Sequence, residues 1–100
     1  MINHNEALKV ATNFIRQTQG KVRSENVVIN DAVTIEEPFG WVFSWNDRRY
    51  LETGDIKYAL YGNIPVVVIR TTGRTLYLPW IPGKYITDII REFAYSIQNE

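Results

Sequence analysis

The sequence predicts an α+β fold: a four-stranded antiparallel sheet, or a five-stranded one, packed against helices at the two ends of the chain. Three observations lead there. Apolar residues recur at helical spacing near both ends: Ala7, Leu8, Ala11, Phe14 and Ile15, then Ile86, Ile89, Ile90, Phe93 and Ile97. Between them Trp41, Phe43 and Trp45 alternate with Val42, Ser44 and Asn46, the period of a strand with one heavily apolar face. The connection Thr71-Thr72-Gly73 is too short for a parallel crossover, so the strands it joins must reverse.

Each element follows from local chemistry. Asn3 and Glu6 have the spacing of a capping box, and Gly20 is placed to end the first helix. A polar connection, Lys21 to Asn26, leads into a strand region from Val27 to Glu37. There Val27, Ile29, Val33 and Ile35 share one parity and Asn30-Asp31 marks a bulge or break. Pro38-Phe39-Gly40 turns the chain into the aromatic strand, and Asn46 to Arg49 reads as a reversal or an exposed bend. Tyr50 to Thr53 is expected to continue as strand and Asp55 to Tyr61 to form a short helical turn. Val66 to Ile69, all β-branched, read as a strand buried on both faces. Gly73 is set for positive φ in a hairpin loop, and Pro79 ends the returning strand or confines it to an edge. In the last helix Thr87, Asp88, Arg91, Glu92 and Gln98 fall outside the apolar stripe.

Composition narrows the function classes. One hundred residues, 45% of them hydrophobic, suit one domain spanning residues 1–100 with a core of its own. Eleven basic and eleven acidic residues cancel without a basic run, so no nucleic-acid footprint is written in the charge. Zero cysteines exclude disulfides and thiolate metal sites. The start of the chain lacks a signal-peptide pattern, and the longest apolar run, Ile64 to Ile69, falls far short of the ~20 residues that span a bilayer. The expectation is a soluble, cytoplasmic protein with no membrane partner. Nothing in the sequence sets an oligomeric state.

The chemistry-bearing residues are sparse. His4 is the single histidine, too few for a metal site, and no cofactor is implied. Ser24, Ser44 and Ser96 lie outside any Gly-x-Ser-x-Gly elbow. Glu36, Glu37, Glu52 and Asp55 would act as acid–base groups only if the fold gathered them, and solvated charge is the simpler reading. Trp41 and Phe43 are expected in the core, whereas Trp45 and Trp80, beside turns, are expected to be partly exposed. Arginine and aromatic residues near turns are what protein interfaces use as anchors, which singles out Arg48, Arg49, Tyr58, Tyr61, Arg70 and Trp80 as partner-binding candidates.

Gly40-Trp41-Val42-Phe43, Tyr50-Leu51-Glu52-Thr53-Gly54-Asp55 and Leu60-Tyr61-Gly62-Asn63-Ile64-Pro65, followed by an apolar strand and Gly73, form an ordered set of motifs. In this the chain resembles the YrhB-like, immunity protein 35 family, from about Ala7 to the last helix. The resemblance implies a small bacterial α+β protein that binds and neutralises a cognate polymorphic toxin, with no catalytic residues to carry over. The chain departs from the family pattern at Ile69-Arg70, where an aspartate is common, and at Pro79-Trp80-Ile81-Pro82, where small polar residues are expected. The motifs themselves read as architecture, their glycines permitting turns and their Asp and Asn side chains bonding nearby backbone.

Two other classes compete. A chaperone-like client-binding protein needs a broad exposed apolar patch. A small enzyme or ligand-binding domain needs a concave pocket with convergent polar groups. The resemblance favours the toxin inhibitor over both.

Overall fold

Asn3 starts the first helix as its spacing predicts. Its Oδ1 accepts from the Glu6 N–H at 2.9 Å, and the Glu6 carboxylate accepts from the Asn3 N–H at 3.3 Å, closing the capping box. Helix α1 (His4–Gln19) ends at Gly20. The structure, a computed structural model, describes residues 1–20 and 25–98, the last without its side chain. The Lys21–Ser24 part of the polar connection and the side chain of Gln98 lie outside the described residues.

The next two strand regions form one long hairpin with a break in it. Strand β1 (Val27–Ile29) leads through a 3-10 turn (Asp31–Val33) into β2 (Ile35–Glu37), and Pro38-Phe39 turns into β3 (Gly40–Phe43). Strand β4 (Trp45–Asp47) follows directly. Strands β2 and β3 pair with Ile35 opposite Val42, and β1 and β4 pair with Ile29 opposite Trp45. The 3-10 turn therefore adds residues to one side of the hairpin only, which is why two ladders form in place of one.

That insertion has a consequence for side-chain direction. Val27 and Ile29 pack with α1, whereas Ile35 packs into the opposite layer and Val33 is exposed. The shared face expected for Val27, Ile29, Val33 and Ile35 is thus corrected: an odd-numbered helical insert reverses strand parity.

Strand β5 (Val66–Ile69) pairs with β3, and the hairpin through Thr71–Gly73 returns as β6 (Thr75–Tyr77). The result is a four-stranded antiparallel sheet in the order β2-β3-β5-β6, beside the two-stranded β1-β4 ladder. Gly73 has φ +74°, and its N–H donates to the Ile69 carbonyl at 2.8 Å. Strand β6 is an edge strand that stops before Pro79, in keeping with the confinement of proline to sheet edges.

Both faces of the sheet are covered. On one, Ala7, Ala11 and Ile15 of α1 meet Trp41, Phe43, Trp45, Val66 and Val68. On the other, Val42, Val67 and Leu78 meet Ile89 and Ile90 of the last helix, with Ile86 and Phe93 packed against them. The alternation along β3 and the β-branched run of β5 are the two faces of one sheet read in sequence.

The segment after β4 differs from expectation. Asn46 to Arg49 is no exposed bend, and Tyr50 to Thr53 is no strand: α2 (Arg48–Thr53) starts at once. Asp47 is the reason, since its Oδ1 accepts from the Arg49 N–H at 2.8 Å and caps the helix. Gly54, left-handed at φ +74°, ends it. A 3-10 turn (Ile56–Tyr58) follows, inside the short helical turn expected over Asp55 to Tyr61. Helix α3 (Ile86–Gln98) closes the described chain.

Candidate functional site

The stretch from Asp47 to Asn63 projects from the end of β4 as a lobe made of α2, the 3-10 turn and their connections. Within it Asp47 is buried, but no residue from 48 to 63 is. Polar bonds at its base hold it instead. The Asn46 side chain accepts from the Leu60 N–H at 2.9 Å and donates to the Leu60 carbonyl at 3.2 Å. Asn63 Nδ2 donates to the carbonyls of Trp45 at 3.0 Å and Leu60 at 3.2 Å.

Asp47 and Arg49 brace the interior of the lobe. The guanidinium donates to both carboxylate oxygens, Nε at 3.1 Å and Nη2 at 2.8 Å, a bidentate pair. Those bonds hold the Asp47 carboxyl below its ordinary pKa despite the opposing effect of burial, and the carboxylate raises that of Arg49. The same guanidinium lies 4.2 Å from the centre of the Tyr58 ring, with Lys57 Nζ at 4.9 Å from it. Arg48 pairs instead with Glu52 at 3.3 Å on the solvent side, and Tyr61 is 75% exposed.

Arg48, Arg49, Tyr58 and Tyr61 therefore come together on one lobe. Arg70 and Trp80 do not join them. Ile69 is opposite Gly40, so Arg70 sits at the far end of the sheet from the lobe. There Arg70 Nη2 donates to the Glu37 carbonyl at 3.0 Å and its guanidinium lies 4.4 Å from the centre of the Trp41 ring. It ties β5 to β2 across β3. Trp80 is half-exposed in the connection between β6 and α3.

Trp45 corrects an expectation: it is 4% exposed, not a surface residue. The aromatic alternation runs through Ser44 into β4, and the indole Nε1 donates to the Ile64 carbonyl at 2.8 Å. Sequence reasoning also missed Leu51 and Ile56 as surface residues, the latter 73% exposed on the lobe. Its signal was present in Asp55, whose side chain accepts from the Lys57 N–H at 3.1 Å and forces a tight turn that turns Ile56 outward.

The other chemistry-bearing residues serve structure. His4 Nε2 donates to both oxygens of Asp31 at 2.9 and 3.1 Å, tying the start of α1 to the first 3-10 turn. The Thr34 hydroxyl bonds the same carboxylate at 2.7 Å, and these bonds, Thr34 first, lower the Asp31 pKa. Glu36 and Glu37 lie on β2 while Glu52 and Asp55 lie on the lobe, so the carboxylates do not gather as an acid–base group. Among the described residues no cluster of three or more His, Cys, Asp or Glu is placed to hold a metal ion. None of the described helices is long and apolar enough to cross a membrane. A cavity of about 420 Å³ between α3 and the β2–β3 turn is lined mainly by Pro38, Phe39, Ile69, Ala94 and Ile97, with Glu37 and Thr71 as its polar lining residues.

These features define a small α+β protein that offers outward-facing side chains on a braced lobe. The chain belongs to the immunity protein 35 family, whose model matches residues 5–86. The match thus covers the lobe and every strand and ends at the first residue of α3. No curated protein and no solved structure matches the chain.

Proposed function

We propose that this protein protects a bacterial cell, from within the cytoplasm, by binding and neutralising a cognate polymorphic toxin. Membership of the immunity protein 35 family is the observation that carries the reading. The inhibitor acts by surface complementarity, without chemistry of its own. The candidate residues are in keeping with this: Arg48, Tyr61 and Trp80 face solvent, where a partner reaches them. Arg49, Tyr58 and Arg70, tied within the fold, would act by shaping the surface around them.

Co-expression tests the proposal. The toxin domain encoded beside this gene should kill when expressed alone and be tolerated when this chain is expressed with it. Continued killing at equal expression of both would refute the reading.

A further inference from the structure

We propose that the Asp47–Asn63 lobe is the element that enters the toxin, with Ile56 and Tyr61 as its anchors in an apolar recess of that protein. The inference rests on the immunity reading and adds the surface to it.

The first observation is the lobe's cost. Ordering backbone opposes folding by about 1–2 kcal/mol per residue, and burial of apolar surface is the usual compensation. From residue 48 to 63 no residue is fully buried, so apart from Leu60, which packs against the α1-side core, the lobe adds little to either core. It is nonetheless fixed at many points. Asn46 and Asn63 clamp its base, Asp47 caps α2, Arg49 stacks on Tyr58, and the Gly54 N–H closes α2 on the Tyr50 carbonyl at 2.8 Å. The fold holds this segment in one shape while drawing mainly on Leu60 for packing. A surface held in its bound shape beforehand loses little entropy when a partner docks.

The second observation is what the lobe exposes. Ile56 and Tyr61 are 73% and 75% exposed, and Leu51 is partly exposed beside them in the chain. Asp55 and Lys57 flank Ile56 and pair with each other at 3.9 Å, while Arg48 pairs with Glu52 at 3.3 Å. The lobe's charges are therefore matched internally: Asp47, Glu52 and Asp55 balance Arg48, Arg49 and Lys57. An electroneutral lobe with an exposed aliphatic and an exposed tyrosine side chain does not suit a polyanion. It suits a desolvated recess on a protein, where tyrosine is among the strongest anchors.

The test uses the full chain and, as probe, the toxin domain encoded beside this gene, silenced in its active site. Titration calorimetry compares wild type with Ile56→Asp and Tyr61→Ala, with melting curves and light scattering in parallel. Ile56→Asp and Tyr61→Ala are each expected to weaken binding about 30-fold or more. Their melting temperatures should stay at the wild-type value. Lobe amides should be protected from hydrogen exchange before toxin is added. Wild-type affinity in both lobe variants would place the interface elsewhere and overturn the proposal, as would protection gained only in the complex. A self-dimer that the lobe substitutions dissolve would show a second copy as the occupant and overturn it too. If wild type itself fails to bind the probe, the immunity reading falls and this inference with it.

Discussion

Gly40 is the position where a single methyl group should do most damage. Its φ of +149° is a backbone state that L side chains rarely adopt. A Cβ built there would stand 1.9 Å from the Val68 carbonyl oxygen and 3.0 Å from the Arg70 nitrogen. Both are backbone atoms of or next to β5, in the centre of the sheet, so no side-chain rotation relieves the contact. Strands β3 and β5 must move apart and lose ladder bonds. Backbone strain of about 1–3 kcal/mol and overpacking of about 1–3 kcal/mol give a loss of about 2–6 kcal/mol for Gly40→Ala. Against a total stability of about 5–15 kcal/mol, that leaves the variant marginal. Gly54→Ala is the control: it also has positive φ, at +74°, but nothing lies within 4 Å of its added Cβ. It should lose only about 1 kcal/mol, the left-handed penalty less the entropy gained in the unfolded chain. Urea unfolding followed by circular dichroism measures both. Equal midpoint shifts for the two variants, or a Gly40→Ala midpoint close to wild type, would refute the steric reasoning.

Other consequences follow from the two cores and the paired carboxylates. Ile89→Ala should cost about 2–5 kcal/mol, and Phe14→Ala, half-buried against Tyr77 at 4.8 Å, should fall toward the lower end; melting curves that barely move would show the helix faces to be misassigned. Asp47 and Asp31 have lowered pKa values in the folded chain, so they contribute stability above their unfolded value of about 4 and lose it as the pH falls through the lower folded values. Wild type should therefore lose melting temperature more steeply than Asp47→Asn as the pH is lowered from about 4; parallel profiles would contradict that origin. Protein purified without an affinity tag should contain no stoichiometric zinc, iron or copper by elemental analysis, and a reproducible metal content would overturn the reading of His4 as a structural residue.

Much of the fold was legible because its signals are local or periodic. Asn3, Glu6 and Gly20 mark the ends of α1 through short-range bonds, and the Trp41-Phe43-Trp45 alternation reports a sheet face directly. Other features depended on partners distant in sequence. The 3-10 turn at Asp31–Val33 is supported by the Asp31 contact to His4, and it sends Ile35 to the opposite layer. Trp45 is drawn inside by the Ile64 carbonyl, a partner no neighbouring residue announces. Asp47 could be read as a bend or as a helix cap, and only its burial with Arg49 decides for the cap. The candidate surface divides in the same way. Arginine and tyrosine stood out by type, but which of them the fold occupies is decided by Asp47, Glu37 and Trp41 across strands and turns.

Neutralisation of a toxin by binding is tested most directly by titrating the purified toxin's own activity with the purified chain. Inhibition should rise in proportion to the chain added, reach completion at a fixed stoichiometric ratio, and reverse when the complex is taken apart. Complete and irreversible loss of toxin activity at far less than equivalence would mean that the chain turns over, and would contradict the account.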